Sequence, residues 1–261
     1  KNENNKIIFE TDFYLDTKAI YHYYFKYKVK DQIKYIKKEN IEANSITKDE
    51  MFKMSVNFDV PNWAKGKVMY HIFVDRFNRG NSEPLKQMQR RTIYNSWDDE
   101  MKVGPNEQGI WNADFYGGDL KGIGQKLDYI KSIGADIIYL SPIVHSQSNH
   151  RYDTSDYENV DPYVGCNDDL KNLCDKAHEK GMKVVLDAVF NHTGNDSKYF
   201  NEYGNYKTVG AYKSDKSKYY KWYKKKANGE FEYWWGFKNL PVCDGTNEKW
   251  QNYIFNKNRL E

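Results

Sequence analysis

An alternation of short apolar runs with amphipathic segments is the feature that most limits the fold of this chain. The apolar runs read as strands, and the segments between them place apolar residues at the spacing of a helix face. Strands that alternate with helices pair in parallel through right-handed crossovers. The pattern therefore predicts an α/β fold, with strands at 67–77, 136–142 and 182–188 and helices at 119–134 and 167–181.

The connecting loops of this region differ in length, and this difference narrows the fold class. The loops that follow the strands are long, whereas the turns from helix to strand are very short. That asymmetry is typical of a (β/α)8 TIM barrel, whose functional loops lie at the carboxyl ends of its strands. Three strands cannot close a barrel, so we predict an incomplete (β/α)8 TIM barrel.

Changes in composition divide the chain into four parts. Residues 1–60 are rich in Ile, Tyr, Phe and Val between polar breaks, which predicts part of a β-sandwich. Residues 61–188 hold the first part of the barrel, and residues 189–245 form an aromatic insertion after the third strand. Residues 246–261 begin the next helix, and we expect the chain to be a fragment. Five rings of the insertion are candidates to line ligand subsites, although we expect at least half of them in the core instead: Tyr199, Phe200, Trp222, Trp234 and Trp235.

Overall composition excludes several classes of protein. The chain has 261 residues and a net charge of +3, which is too small to indicate a nucleic acid or membrane partner. It has no apolar run long enough for a membrane span. Its three cysteines lack the spacing of zinc ligands, and their odd number does not suit a disulfide scaffold.

Polar side chains follow the predicted strands. The run VVLDAVFNH (184–192) carries Asp187 directly after an apolar strand, and His192 follows five residues later. An unpaired carboxylate is costly in an apolar setting, so Asp187 either caps a turn or faces a polar site. The loop after the second strand adds His150, Tyr152 and Asp153. Such carboxylates and rings suit a ligand rich in hydroxyl groups.

These motifs resemble the α-amylase family, glycoside hydrolase family 13. The β-rich start followed by NWAKGKVMYHIFVDRF is most similar to the neopullulanase, cyclomaltodextrinase and maltogenic amylase branch. The resemblance implies retaining hydrolysis of α-1,4-glucosidic bonds in starch, maltooligosaccharides or cyclodextrins. It also implies a starch-binding-type first domain, through which enzymes of that branch often form homodimers. The matching segments are VMYHIFVDRFNRGN (68–81), DFYGGDLKGI (114–123), SNHRYDTSDYENVDP (148–162), DAVFNH (187–192) and LPVCD (240–244).

The resemblance also assigns roles to site residues. His192 matches the histidine that bonds the sugar at the −1 subsite and steadies the transition state. Tyr152 matches the ring that stacks under this sugar, and Asp153 its supporting acid. Asp187 matches an acid that pairs with an arginine on the fourth strand and orients the nucleophile. His150 is expected to hold the loop.

Two groups of family residues are missing or altered. The nucleophile and acid/base of a retaining glycosidase follow later strands in this family, so we expect them beyond residue 261 and no catalytic acid within the chain. No cofactor is expected to be required. Calcium ligands in the family match Asn191, Asp119 and Asn81, but Arg79, Pro84 and Leu85 stand where further oxygen ligands would be needed, so we predict a weak or absent site.

Three other functions fit parts of the sequence. The run KSDKSKYYKWYKKK (213–226) interleaves lysines with aromatic residues, as single-strand nucleic-acid surfaces do, but it is one patch on a nearly neutral chain. A metal-dependent hydrolase using Asp187, His192 and His150 lacks the usual ligand spacing. A non-catalytic glucan-binding protein with an amylase-like body is the remaining alternative.

Overall fold

The computed structural model describes residues 2, 3, 6, 7, 9–81, 83, 85–87 and 90–255. The chain divides into two compact units, with the boundary between Lys65 and Gly66. This boundary lies five residues after the one drawn from composition at residue 60. The limits predicted at residues 188 and 245 stay predictions, and residues 256–261 of the last predicted segment lie outside the described residues.

The first unit is built from short antiparallel strands. β3 pairs with β7, and β4, β5 and β6 form a separate three-stranded sheet. Whether these sheets form the predicted sandwich stays a prediction. The strands are β1 (Asn2–Glu3), β2 (Lys6–Ile7), β3 (Ala19–Tyr23), β4 (Phe25–Val29), β5 (Gln32–Lys37), β6 (Ile41–Ala43) and β7 (Phe52–Val56).

The second unit contains the parallel sheet that the alternating pattern predicts. Strand β11 lies in the centre and pairs in parallel with β8 on one side and β14 on the other. No helix in the described residues is long and apolar enough to cross a membrane. The elements are β8 (Met69–Ile72), β9 (Thr92–Ile93), β10 (Asp114–Phe115), α1 (Leu120–Gln125), α2 (Leu127–Ser132), β11 (Ile137–Leu140), β12 (Val144–Ser146), β13 (Thr154–Val160), α3 (Asn167–Glu179), β14 (Lys183–Leu186) and α4 (Glu248–Ile254).

The helices differ from the sequence-based expectation in two details. The continuous helix predicted over 119–134 is wrong, because the chain leaves helical geometry at Lys126 and forms α1 and α2 instead. Two glycines in α1 weaken the helix there. The helix predicted over 167–181 ends at Glu179 in α3, and its N-terminal capping residue, Cys166, shares a capping box with Asp169.

Two hydrophobic clusters stabilise the second unit. One contains apolar side chains of the parallel sheet and its helices, such as Ile138, Ile123 and Leu173. The other is aromatic and lies in residues 199–254. Three of the five insertion rings considered above, Tyr199, Phe200 and Trp222, are buried, whereas Trp235 is exposed.

Gly117 and Gly118 form the turn before α1. The carboxylate of Asp75 is fully buried and accepts hydrogen bonds from the backbone N–H groups of Tyr116 and Gly117, both at 3.1 Å. Gly118 then passes so close to the preceding turn that a Cβ atom there would lie 2.0 Å from the carbonyl oxygen of Val74. The motif therefore requires glycine at 118 for steric reasons.

Replacing Gly118 with alanine should destabilise the second unit by about 2 kcal/mol or more, because the added carbon overlaps backbone atoms. The matched control is Gly124→Ala in α1, where the new Cβ meets nothing within 4 Å. We expect that control to be neutral or stabilising by about 0.5 kcal/mol. Urea unfolding followed by tryptophan fluorescence measures the stability of both variants. Six of the seven tryptophans lie in the second unit, and only Trp63 lies in the first. Equal stability of the two variants would contradict the steric argument.

Candidate active site

A tyrosine and a carboxylate meet at the carboxyl ends of the parallel strands. Tyr152 donates its hydroxyl hydrogen to Asp187 Oδ2 at 2.8 Å. Burial raises the pKa of Tyr152, and the neighbouring Asp187 raises it further. Asp187 also raises the pKa of Tyr139 on β11, where burial is again the larger cause. Asp187 therefore has a dedicated hydrogen-bond partner, Tyr152, and does more than cap a turn.

His192 lies just beyond β14, where Asn191 engages one ring nitrogen and no described residue forms a hydrogen bond with the other. The side chain is 4% exposed, and its Nδ1 atom lies 3.1 Å from Nδ2 of Asn191. If the Asn191 amide donates, Nδ1 accepts and the ring proton lies on Nε2. Nε2 has no hydrogen-bond partner among the described residues. Burial lowers the pKa of His192, which favours this neutral form. The backbone of Tyr152 raises this pKa, but its effect is the smaller one.

The loop that carries Tyr152 is held from below by Asp153. This buried carboxylate accepts hydrogen bonds from Ser146 Oγ at 2.5 Å, from the backbone of Ser148 at 3.2 Å and from the Ser148 hydroxyl. His150 accepts the backbone N–H of Tyr152 at 3.1 Å, and its ring stacks against that of Tyr152. Burial lowers the pKa of His150. Both residues therefore support the ring of Tyr152.

A buried ion cluster anchors the start of the same loop. Asp161 is fully buried and lies 3.1 Å from the guanidinium of Arg91 and 3.6 Å from that of Arg151. Arg91 also donates to the backbone carbonyl of Ser146. The nearby arginines hold the pKa of Asp161 below its ordinary value, against the effect of burial. Sequence patterns did not single out this cluster, because its members are far apart in the chain.

Sequence patterns missed one buried acid of the site and left the position of one tryptophan open. Asp196 is buried and accepts a hydrogen bond from Ser155 Oγ at 2.9 Å. Burial, and secondarily the charge of Asp153, raise the pKa of Asp196 to about 7. Trp234, one of the rings that the sequence offers for either a ligand subsite or the core, stacks on the His192 ring with centroids 4.9 Å apart. No local sequence pattern marks Asp196, because its burial depends on residues distant in sequence.

The calcium candidates do not form one coordination set. Both carboxylate oxygens of Asp119 accept backbone N–H groups, including those of Gly80 at 2.9 Å and Asn81 at 3.0 Å. Arg79 donates to the backbone carbonyls of Tyr94 at 3.0 Å and Tyr116 at 2.6 Å. A guanidinium already binds these carbonyl oxygens, which a calcium ion in this loop would need as ligands.

The remaining calcium candidate lies in other surroundings. Asn191 directs its side chain to His192 instead of to Asn81 or Asp119. Pro84 lies outside the described residues. Within the described part of the chain, no group of three or more His, Cys, Asp or Glu side chains could hold a metal ion.

The structure thus brings five predicted residues into one network. Tyr152 binds Asp187, His150 and Asp153 hold the loop of Tyr152, and His192 interacts electrostatically with Asp153 and His150. Carboxylates, a tyrosine face and a buried histidine at the carboxyl edge of a parallel sheet are the features of a ligand site in the class of α/β enzymes.

Comparison with known proteins agrees with this class. The family model described as alpha amylase, catalytic domain, matches residues 71–251. The chain therefore belongs to the α-amylase family and has its α/β fold. This confirms the family inferred from the motifs, and relatives named maltogenic amylase and cyclomaltodextrinase confirm the branch.

Three similar proteins illustrate the relationship. The amylopullulanase of Thermoanaerobacter thermohydrosulfuricus is 44% identical over 241 residues, which cover 80% of this chain and 16% of that protein. The maltogenic α-amylase of Bacillus acidopullulyticus is 43% identical over 137 residues, covering 52% of this chain and 21% of that protein. The type III pullulan hydrolase of Thermococcus kodakarensis superposes with a TM-score of 0.63 at 29% identity, covering 90% of this chain and 42% of that one. The chain spans between 13% and 19% of three similar amylopullulanases.

The raised pKa of Asp196 predicts a specific pH dependence of stability. The folded protein holds the Asp196 proton up to about pH 7, whereas the unfolded chain releases it near its ordinary pKa of 3.8. The contribution of the protonated acid is therefore complete below pH 3.8 and is lost as the pH rises toward 7.

Substituting Asp196→Asn should remove this loss and keep the acceptor for Ser155. We expect the variant to gain stability over the unsubstituted protein progressively between pH 4 and pH 7, by up to about 4 kcal/mol. Urea unfolding at a series of pH values measures the difference, and exposed Asp215→Asn is the control. A gain that does not change with pH would contradict the assignment of a raised pKa.

Proposed function

We propose that the protein is a retaining glycosidase that hydrolyses α-1,4-glucosidic bonds in starch, maltooligosaccharides or cyclodextrins. The observation that carries this proposal is the buried His192, whose Nε2 atom has no hydrogen-bond partner in the described part of the chain. The backbone of Tyr152 lies beside this ring, and the Tyr152 hydroxyl binds Asp187. The names of the relatives, amylopullulanase, maltogenic amylase and cyclomaltodextrinase, support an α-glucan as the substrate.

The geometry suggests a separate task for each side chain. Nε2–H of His192 donates a hydrogen bond to a hydroxyl group of the reacting sugar, and a buried donor of fixed direction stabilises developing charge without reorganisation. The ring of Tyr152 packs against the apolar side of that sugar, while its hydroxyl holds Asp187. His150 and Asp153 keep the Tyr152 ring in place. Asp187 orients residues of the neighbouring barrel strand.

We also propose that the nucleophile and the acid/base lie on later barrel strands, beyond residue 261. A retaining mechanism needs two carboxyl groups about 5–5.5 Å apart. The described sheet has three parallel strands, so each outer strand, β8 and β14, has one backbone edge without a partner strand in the described part of the chain. Such open edges are suited to pairing with further strands.

The first unit is proposed to bind starch and to mediate a homodimer. It exposes large aromatic side chains, including Phe9 at 92%, Tyr14 at 89% and Phe13 at 63%. Exposed aromatic residues of this kind are common at sugar-binding and subunit surfaces.

The function is tested by binding and turnover measured together. Calorimetry with maltohexaose should show binding by the protein and a loss of about 5- to 10-fold in affinity for His192→Ala, the value of one hydrogen bond. His178→Ala, on the exposed face of α3, is the matched control and should bind normally. Absence of maltohexaose binding, or equal binding by both variants, would contradict an α-glucan site at His192.

Turnover separates an enzyme from a glucan-binding protein. We expect release of reducing sugar from starch and cyclodextrin by a chain extended past residue 261, and none by the 261-residue chain purified free of host amylase. Binding without turnover by the extended chain would favour the non-catalytic alternative. Turnover by the 261-residue chain that Asp187→Asn abolishes would show that the catalytic carboxylates lie within it.

We propose that the loop after β8 is held by Arg79 instead of calcium. Chelator should leave the melting temperature unchanged, whereas Arg79→Ala should lower the stability by about 2 kcal/mol through loss of charged hydrogen bonds to carbonyl oxygens. Arg79→Lys keeps the charge but loses the guanidinium fork, so we expect only partial recovery. Thermal unfolding with and without chelator measures all three, and stoichiometric tight calcium binding would defeat the proposal.

A further inference from the structure

Trp235 combines an exposed ring with an uncommon backbone conformation. Its side chain is 80% exposed, and its backbone has φ +49° and ψ +23°, in the left-handed region. A bulky residue rarely adopts this region, because its Cβ atom crowds the following carbonyl. Such an arrangement costs free energy in the folded protein and is often found where a ligand is bound.

The Trp235 ring is the outer member of a stack that begins at His192. Trp234 lies on the His192 ring with centroids 4.9 Å apart and planes inclined by 28°. Trp235 lies on Trp234 with centroids 4.4 Å apart and planes inclined by 11°. One side of Trp235 is therefore covered by Trp234, and its high exposure leaves the other side open to solvent.

Backbone hydrogen bonds hold this stack in position relative to the histidine. The N–H of Trp234 donates to the carbonyl of Leu240 at 3.0 Å, which closes the loop that carries both tryptophans. The N–H of Thr193, directly after His192, donates to the carbonyl of Pro241 at 3.3 Å. These bonds fix the backbone of the loop with respect to His192 before any ligand binds, and the Trp235 ring is held on it by stacking on Trp234.

We propose that the outer face of Trp235 stacks on a glucose ring of a bound α-glucan, at a subsite separate from the one contacted by His192. This inference rests on the proposed α-glucan function and adds a residue that determines preference for chain length. Flat aromatic faces pack against the apolar side of a pyranose ring, and a rigid platform orders few additional groups on binding. Because the stack ends on His192, a ligand held by His192 lies within reach of this platform if it is several sugars long.

Calorimetry with maltotriose and maltoheptaose tests the platform in the protein. We expect Trp235→Ala to weaken maltoheptaose binding by about tenfold and to leave maltotriose binding within about twofold. Trp235→Phe keeps an aromatic face and should retain most of the affinity. Trp111→Ala removes a ring that is 64% exposed in another loop, and should bind both sugars normally.

A further variant separates loss of the ring from loss of the fold. Trp235→Gly suits the left-handed backbone and should reproduce the selective loss of maltoheptaose affinity. Equal losses for both sugars, or no loss in any Trp235 variant, would overturn the inference. Unchanged sugar binding by a Trp235 variant that sediments with a smaller mass than the unsubstituted protein would overturn it too. The ring would then contact a second copy of the chain.

The failure of this inference is distinguishable from failure of the proposed function. If the unsubstituted protein binds neither maltotriose nor maltoheptaose, the α-glucan function fails and the platform fails with it. If the protein binds both sugars and His192→Ala weakens both, while Trp235→Ala weakens neither, the function stands and only the platform is excluded.

Discussion

The buried ion pairs of the Asp161 carboxylate with Arg91 and Arg151 are the interaction on which the site loop depends. Two arginines and the backbone N–H groups of Ser146 and Tyr163 surround this fully buried group. A buried charge without such partners would cost several kcal/mol, and the removal of one partner from a buried pair typically destabilises a protein by about 3–5 kcal/mol. The arginines also lie over the rings of Phe115 and Tyr163, so that charge and aromatic packing fix the same point. The loop therefore has little freedom where it leaves β12.

From this point a chain of contacts leads to the functional side chains. Ser146 is bound through its backbone by Asp161 and Arg91, and its hydroxyl donates to Asp153. Asp153 in turn binds Ser148, and the loop between them presents the ring of Tyr152, whose hydroxyl meets Asp187. Each member is bound by a group that is itself fixed, and such support is what a site needs to keep its geometry before a substrate arrives. The aromatic insertion acts on the other side, where Trp234 packs against His192.

Local patterns predicted much of this arrangement, and their failures have identifiable causes. Asp187 was singled out because it follows an apolar strand, and it does meet a dedicated partner, Tyr152. The spacing of apolar residues predicts one continuous helix over 119–134, because this spacing carries no information about close contacts of the backbone. Gly122 is needed where a Cβ would lie 2.0 Å from the carbonyl oxygen of Asn78, and this glycine weakens the helix that contains it. Asp196 was overlooked because its unusual pKa arises from burial, which depends on residues distant in sequence.

The sequence by itself determined the parallel α/β fold, its motif residues and the amylase family, because strand and helix periodicity and motif spacing are local properties. Tertiary structure decided how those residues interact. It directed Asn191 to His192, gave the carbonyls of Tyr94 and Tyr116 an arginine partner, buried Asp196 and exposed Trp235 while burying Trp222. These outcomes follow from burial and from contacts between distant segments, which set pKa values and the access of ligands. No local pattern encodes them, since one residue type behaves differently in water and in a core.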